Sequence, residues 1–304
     1  MNEKTEEIIG RIKEKYKAID QNPEVHLEGL VWAKPITYWD YILPDALLNL
    51  QVQRTTEPDE MVFVMYHQIN ELLFKMILWE INQVSDSEEI SASLFTEKLR
   101  RISRYFDMLS SSFDIMGEGM AKEQYMNFRN TLTPASGFQS AQYRLIEFSS
   151  TELINLIDYR FRATIDRNTP YEHAFEHLYW QAAGKNHETG KKNTMLVFFE
   201  EKYKADFLLK MQKYNTTNLW TKFKQLPEDV KNDAELIKAM RHYDYTVNVK
   251  WVMAHYEAAG KYLGKSEATG GSDWRKYMHP KYQRRIFFPE LWSKEELENW
   301  GNDV

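Results

Sequence analysis

Two histidines far apart in the chain are the first candidates for metal or redox chemistry. His67 ends the largely apolar run of residues 61–67, and His255 follows Trp251 in a second apolar stretch. An imidazole can bind a metal ion, take part in proton transfer, or stay in the core as a hydrogen-bonded group. Spacing alone leaves the functional and the structural interpretation open for both residues.

An arginine and a tyrosine form a candidate carboxylate-binding pair. Tyr125 and Arg129 have the i, i+4 spacing that places two side chains on one helix face, just before the break at residues 134–137. A guanidinium at a helix end can hold a carboxylate through two parallel hydrogen bonds, although pairing with a structural Asp or Glu is equally compatible with the spacing. Downstream, Thr-Gly-Gly-Ser at residues 269–272 combines hydroxyls with glycines that let a ligand approach the backbone.

One short motif has the spacing of a zinc site. The run from His173 through Glu176 to His177 fits His-x-x-Glu-His, which on a helix puts two imidazoles one turn apart. A zinc hydrolase would also need a third ligand, and the aromatic residues around the motif favour packing. A surface histidine pair beside acidic residues is the competing and favoured interpretation.

Helical periodicity dominates the sequence that must position these residues. Apolar residues recur at steps of three and four almost throughout, and useful runs of strand-like alternation are absent. Residues 24–43 are predicted to be irregular, with room for a short strand. The pattern therefore predicts an all-α fold and a single large domain over residues 1–304. The predicted helices are a first segment ended by Asn22-Pro23, a short helix after Pro44, and residues 58–84, 91–116, 121–132, 138–161, 171–183 and 227 or 232 to 263.

Composition excludes several classes of protein. The 304 residues contain no Cys, so the chain has no disulfide framework, no cysteine zinc site and no thiolate nucleophile or haem ligand. A formal net charge of −6 argues against a nucleic-acid-binding protein. Aromatic residues make up 14%, which favours a large aromatic core or an aromatic-lined pocket. We expect no membrane span, because no sufficiently long apolar run occurs, and a cytoplasmic location, because Cys and a secretory signal are absent.

Three blocks of motifs, taken together, resemble the tryptophan 2,3-dioxygenase family. They occur in the family's order and with similar spacing over roughly residues 37–291, whereas residues 150–240 add little. The run Phe-Arg followed by Pro-Ala-Ser-Gly-Phe-Gln-Ser is the most specific. The blocks are Thr37-Tyr38 to Tyr41 with residues 59–63, His67-Gln68 and Glu71-Leu72; residues 125–129 with residues 134–144; and His255 with residues 269–272 and 288–291.

The resemblance implies an all-α haem enzyme that assembles as a homotetramer, a dimer of dimers. Its expected reaction, in tryptophan catabolism through the kynurenine pathway, inserts both atoms of O2 into the indole 2,3 bond of L-tryptophan and yields N-formylkynurenine. The expected cofactor is non-covalent haem b, with O2 as co-substrate. Partners other than the small substrate and further copies of the chain are not expected. An N-terminal arm, residues 1–43, would contribute to the pocket of a neighbouring subunit.

The resemblance also implies which residues surround the haem and the indole. His255 would be the axial ligand of the haem iron. His67 would be the catalytic residue on the opposite, distal side, near the indole N–H. Phe63 would wall the indole pocket, and Tyr38 and Tyr41 of a neighbouring subunit would complete it.

Further residues are implied for the amino-acid head group and the haem edge. Arg129 would bind the substrate carboxylate, with Tyr125 beside it, because a zwitterionic amino acid requires a fixed cation. Thr269 would contact the head group of the substrate. Ser136 would lie at the haem edge.

The sequence departs from the family pattern at several positions, which leaves the substrate open. A related His-ligated haem oxygenase, acting on a substituted tryptophan or another aromatic amino acid and inserting one oxygen atom, is therefore the alternative. A haem- or amino-acid-binding protein without turnover and the zinc hydrolase suggested by His173 and His177 also stay open. The departures are Trp39-Asp40, Leu73, Glu257, Ala268 and Asp273-Trp274.

Overall fold

The computed structural model describes residues 2–132, 139–186, 189–263, 275 and 278–302. Within these ranges the regular structure is helical, apart from two isolated β-bridges, and the all-α prediction is confirmed. Among the same residues, no helix combines the length and the hydropathy that a membrane span requires.

The helices follow one another closely along the chain. They are α1 (Glu3–Lys17), α2 (Pro23–Trp32), α3 (Tyr38–Ile42), α4 (Pro44–Leu47), α5 (Asp59–Ser85), α6 (Ala92–Ser111), α7 (Phe113–Glu118), α8 (Lys122–Phe128), α9 (Ala141–Ser150), α10 (Tyr171–Phe175), α11 (Thr194–Thr217), α12 (Leu219–Gln225), α13 (Glu228–Lys231), α14 (Ala234–Tyr245) and α15 (Trp251–Leu263), then Pro280–Gln283 and Lys294–Glu298. Segments of 3-10 helix occupy Arg129–Leu132, Leu153–Leu156, Tyr179–Gly184 and Pro289–Leu291, and a π-helical turn, Thr246–Lys250, precedes α15.

The chain divides into two compact units, Met1–Gln51 and Val52–Val304. The first unit contains α1 to α4, and helix α2 shows that the prediction of irregular structure from residue 24 onward was wrong. The Asn22 side chain accepts a hydrogen bond from the backbone N–H of Glu24 at 2.9 Å, and Pro23 occupies the first helical position. The Asn-Pro pair therefore starts α2, whereas α1 already ends at Lys17, so the prediction that this pair ends the first helix was wrong.

Helix α3, which carries Tyr38 and Tyr41, begins with a capping box. The Asp40 carboxylate accepts the Thr37 hydroxyl at 2.6 Å and the Thr37 backbone N–H at 3.2 Å, and the hydroxyl oxygen of Thr37 accepts the Asp40 N–H at 3.3 Å. Asp40 departs from the family pattern, and this contact gives it a local role. It stabilises the helix that presents both tyrosines.

The main core of the second unit lies between α5, α6, α9, α11 and α14. Ser91 caps α6, because its side chain accepts the backbone N–H of Leu94 at 3.2 Å. The apolar stripe of α6 recurs at steps of four and three and is fully buried, which is the pattern of a helix that packs one face on a core. Its members are Phe95, Leu99, Ile102, Phe106 and Leu109.

A buried polar network fixes the start of α15. Arg285 donates from Nε to Asn248 Oδ1 at 2.6 Å and from Nη1 to Glu147 Oε1 at 2.7 Å. The Asp244 carboxylate accepts two backbone N–H groups of the same C-terminal segment, at 2.8 and 2.9 Å. Since Asn248 lies in the π-helical turn, these contacts hold the turn that sets the direction of α15.

Several helices are shorter than the sequence predicted or are divided, and three of them show why. The helix predicted for residues 138–161 contains only α9, because Thr151 is extended and its hydroxyl donates to the Phe287 carbonyl. The helix predicted for residues 171–183 divides into α10 and a 3-10 segment, and the helix predicted to end at residue 263 divides into α13, α14, the π-helical turn and α15. Tertiary hydrogen bonds end or bend these helices where local periodicity continues.

Candidate active site

Helix α5 presents Phe63 and His67 one turn apart. The Nδ1 atom of His67 lies 2.8 Å from the Phe63 carbonyl oxygen. A carbonyl oxygen can only accept, so Nδ1 carries the proton, and in the neutral ring Nε2 is a hydrogen-bond acceptor. The two ring centroids are 4.1 Å apart. Helix α5 therefore offers an oriented acceptor nitrogen beside an aromatic face.

His67 is desolvated, although its side chain has accessible surface. Desolvation lowers the pKa of His67 below the usual histidine value, against the smaller opposing effects of the Phe63 carbonyl and the Glu71 charge. The lowered pKa keeps the ring neutral near pH 7.

His255 lies on α15 and packs against α7. Its ring is stacked on Phe113, with centroids 5.1 Å apart and an angle of 12° between the planes. Burial, with a smaller contribution from the charge of His67, lowers the pKa of His255 to about 4. The neutral imidazole is the form that binds metal ions. The electrostatic effect of His67 on His255 also places the two histidines, distant in sequence, in the same region.

Helix α8 forms a further wall of this region. Tyr125 lies on α8, with its ring 6.3 Å from that of Phe63 and 4.6 Å from that of Tyr262. Arg129 follows the end of the helix and is only 8% exposed. Burial raises the pKa of the Tyr125 phenol, and the Arg129 charge acts in the opposite direction, so the guanidinium lies near the tyrosine. Helix α8 therefore brings a buried cation to the aromatic wall of α5.

These side chains adjoin one hydrophobic cluster that is separate from the main core. The structure therefore brings together five predicted site residues, which are Phe63, His67, Tyr125, Arg129 and His255. The buried members of the cluster are Tyr66, Phe113, Met116, Met120, Phe128, Ala258 and Tyr262.

Two buried polar atoms near His255 lack partners. Trp251, one turn before His255, packs on Tyr143 with ring centroids 4.7 Å apart. Among the described residues, neither the Tyr143 hydroxyl nor Trp251 Nε1 has a hydrogen-bond partner. Leaving a buried polar atom unsatisfied costs about 1–3 kcal/mol. Two such atoms beside an imidazole therefore indicate a place for a ligand's polar group or an ordered water.

Four predicted site residues are not among those gathered here. Tyr38 and Tyr41 lie on α3 in the first unit, where their side chains are 72% and 75% exposed. Ser136 and Thr269 lie outside the described residues, as do positions 268, 273 and 274. The roles that the resemblance implies for these four residues stay predictions.

Sequence reasoning missed Phe113 and Tyr262 as residues of the site. Tyr262 lies two helical turns after His255, so it shares a helix face with the histidine, and that spacing could have indicated it. Phe113 carries no comparable local pattern, since its stacking on His255 depends on how α7 packs against α15.

The motif His-x-x-Glu-His does not form the zinc site that its spacing allows. Helix α10 ends at Phe175, so His177 lies beyond the helix, and the prediction of both imidazoles on one helix was wrong. Glu176 instead binds Lys185, Lys192 and Lys204 at 2.7–3.0 Å. Within the described part of the chain, no group of three or more His, Cys, Asp or Glu side chains has a metal-binding arrangement.

In the described part of the chain, the fold and the site define a helical protein with an aromatic site that contains a buried arginine and two neutral imidazoles. Residues 30–249 match the family model described as tryptophan 2,3-dioxygenase. The match covers more than half of the chain, and the chain therefore belongs to the tryptophan 2,3-dioxygenase family of oxidoreductases.

Relatives that carry the name tryptophan 2,3-dioxygenase cover most of the chain. The Bacillus cereus protein is 26% identical over 272 residues, which span 85% of this chain and 91% of the relative. The Ruegeria sp. protein is 25% identical over 287 residues, spanning 90% and 96%. Tryptophan 2,3-dioxygenase B of Danio rerio is 37% identical over 124 residues, which are 37% of this chain and 30% of that protein.

Proposed function

We propose that this chain is a haem-dependent dioxygenase that cleaves the indole 2,3 bond of L-tryptophan with O2 and forms N-formylkynurenine. One observation carries the proposal: His67, Arg129 and His255 adjoin one aromatic cluster in a chain of the tryptophan 2,3-dioxygenase family. The names of the relatives agree with this activity.

The surroundings of His255 fit a haem group. A neutral imidazole is a common axial ligand of haem iron; His255 is half-buried and desolvated, and stacking on Phe113 fixes its ring plane. The Tyr143 hydroxyl and Trp251 Nε1, which lack partners in the described chain, supply hydrogen-bonding atoms for the polar edge of a porphyrin. When bound, the haem iron supplies the activation of O2. Ser136 is proposed to lie at the haem edge.

His67 orients the indole ring. Its Nδ1–H is held by the Phe63 carbonyl, so Nε2 accepts a hydrogen bond from the indole N–H. Because the pKa of His67 is lowered, this acceptor is present near neutral pH. Phe63 supplies an apolar face for the ring. Together the two residues hold the indole in one orientation. This lowers the entropic cost of reaching the transition state.

Arg129 binds the substrate carboxylate. The guanidinium is buried beside Tyr125, where a carboxylate that it binds is shielded from water. Removing one partner of such a buried charge pair costs about 2–5 kcal/mol. Thr269 is proposed to contact the amino-acid head group.

We further propose a homotetramer in which Tyr38 and Tyr41 of one subunit complete the pocket of a neighbour. Both tyrosines are largely exposed in their own unit, and a stripe of apolar side chains along α5 is also exposed. Such surfaces indicate regions that another chain covers. The stripe consists of Met65, Ile69, Leu72, Met76 and Trp79, which are 40–70% exposed.

The absorption spectrum of the purified protein, combined with product mass, tests the function. The ferrous protein should show a histidine-ligated Soret band that changes with L-tryptophan and O2, and turnover under labelled O2 should add two labelled atoms to the product. Incorporation of one atom would favour a related oxygenase. Tryptophan binding without O2 consumption would identify a binding protein.

A further inference from the structure

We propose that Asp59 and Gln124 form a reciprocal cap between two helices and thereby position Arg129 for the substrate carboxylate. The inference rests on the proposed function, because the distance between α5 and α8 matters only if substrate binds between Phe63 and Arg129. It concerns residues that hold α5 and α8 together rather than residues that contact the substrate.

The cap consists of two hydrogen bonds that run in opposite directions. The Asp59 carboxylate, at the first residue of α5, accepts the backbone N–H of Ala121 through Oδ2 at 2.6 Å. In return, the Gln124 side chain, in the first turn of α8, accepts the backbone N–H of Asp59 through Oε1 at 3.0 Å. Each helix therefore supplies the side chain that satisfies an N-terminal N–H group of the other.

Neither helix caps itself. The N-cap residues are Pro58 for α5 and Ala121 for α8, and neither makes a side-chain cap hydrogen bond. The first N–H groups of a helix have no intrahelical acceptor and need one from elsewhere. The Asp59 carboxylate also lies at the positive end of the α8 dipole, where negative charge is favoured. The two helix ends are thus mutually dependent.

A second contact between the same segments limits rotation of α8. Asn127 Nδ2 donates to Glu57 Oε1 at 3.0 Å, about one turn further along α8 than Gln124. Two contacts separated along a helix fix its rotation as well as its position, whereas one contact would leave it able to pivot. The ring of Phe128 meets that of Phe63 at 5.4 Å on the inner side.

The position of the cap links it to the substrate site. Asp59 lies one turn before Phe63, and Gln124 directly precedes Tyr125 and lies five residues before Arg129. A shift of α8 at its N-terminus would therefore move the guanidinium relative to the indole wall. Misplacement by about 1 Å can cost on the order of a hundredfold in rate.

The same junction is tied to the helix of His255. The Tyr262 hydroxyl, on α15, donates to the carbonyl oxygens of Met116 and Met120, and the second of these contacts is 3.1 Å long. Met120 directly precedes Ala121, the residue that Asp59 caps. The reciprocal cap is therefore located where the helices of His67, Arg129 and His255 meet.

Steady-state kinetics of the haem-loaded protein test the cap. Asp59→Ala and Gln124→Ala should each raise KM for L-tryptophan by about tenfold or more, with haem content and the Soret band unchanged. Glu123→Gln is the matched control, since Glu123 is an exposed carboxylate in the same helical turn. Its KM should stay within about twofold of the wild-type value, because it has no part in the cap.

A double-mutant cycle separates positioning of Arg129 from general stabilisation. If the cap acts through Arg129, adding Asp59→Ala to Arg129→Ala should lower kcat/KM by less than about twofold further. Independent, multiplicative losses would overturn the proposal. So would variants that unfold at lower temperature but keep the wild-type KM. If Asp59→Ala does not fold, Gln124→Ala decides alone, since it leaves the Asp59–Ala121 bond in place.

The outcomes also distinguish the cap from the function on which it rests. A haem-loaded wild type that does not oxidise L-tryptophan overturns the proposed function. An active wild type whose two cap variants retain the wild-type KM overturns the cap alone.

Discussion

The protein contains two histidine pairs whose surroundings differ. His173 and His177 are neighbours in sequence, and their rings meet edge to face with centroids 4.8 Å apart, beside Glu176 and its three lysines. His67 and His255 come from different helices and adjoin an aromatic cluster. The first pair has the spacing of a metal motif. Only the second contains an imidazole, that of His255, whose pKa desolvation lowers to about 4.

The comparison shows that environment matters more than spacing. Beside the first pair, three lysines bind the ionised carboxylate of Glu176, the glutamate that a zinc hydrolase would use. In the second, burial keeps both imidazoles uncharged, which suits a metal ligand and a hydrogen-bond acceptor. The same substitution made in each pair should therefore have different effects on haem binding and on turnover.

His255→Ala should have the largest effect. Loss of the proposed axial ligand should remove or badly displace haem and abolish turnover, because non-covalent haem depends on that bond. Haem content per chain and the Soret spectrum measure this directly. His173→Ala is the control and should retain both haem and activity. A His255→Ala protein with a full, normal Soret spectrum would refute the ligand assignment.

Arg129→Ala should have the next largest effect. Losing a buried, charged hydrogen bond of about 2 kcal/mol or more corresponds to a rise in KM for L-tryptophan of at least about thirtyfold. Haem should remain bound, because the proposed axial ligand is His255 and that residue is unchanged. Arg104→Ala, which removes an exposed arginine of α6, should change neither quantity. Unchanged kinetics in Arg129→Ala would exclude it from carboxylate binding.

His67→Ala should reduce activity without abolishing it. If His67 mainly orients the indole, turnover should fall by about tenfold to a hundredfold, while haem and substrate still bind. Single-turnover measurements with spectroscopic detection of bound substrate separate the two effects. Complete loss of turnover with both ligands bound would show an obligatory role in proton transfer.

Glu176→Gln should have the smallest effect, on stability alone. Although burial acts to raise it, the hydrogen bonds and charges of Lys192, Lys204 and Lys185 lower the pKa of Glu176 to about 2. A carboxylate whose pKa is lower in the folded state contributes stability above its unfolded pKa. That contribution declines as the pH falls from about 4.5 toward 2.

The measurement is thermal unfolding of both proteins at two pH values. The variant should be less stable by roughly 1 kcal/mol at pH 7, after allowance for solvent screening, and the difference should shrink near pH 3. Turnover of L-tryptophan should be the same in both. A difference that grows on acidification would contradict the assignment.

Much of the helical fold could be predicted from local sequence. The helix predicted to begin at residue 91 is present as α6, because its apolar spacing and its side-chain cap are properties of the segment itself. The end of α9 and the π-helical turn could not be predicted. Thr151 contacts Phe287, and Asn248 contacts Arg285, across long separations in sequence.

The candidate site was predictable only where motifs resembled a known family. Phe63, His67, Arg129 and His255 were identified that way, while Phe113 was missed, because its role depends on packing between α7 and α15. The His173 motif shows the limit of spacing by itself, and the sequence analysis had favoured a surface histidine pair there. Its spacing was suitable, but α10 ends before His177.

By itself, the sequence determined that the chain is helical, that it lacks thiolate chemistry, and which residues could serve a haem and an indole amino acid. Only the tertiary structure decided which histidines are desolvated and neutral, which carboxylates bind lysines, and which helix ends cap each other. Those properties depend on desolvation and on contacts between distant segments, and local residue patterns do not record either.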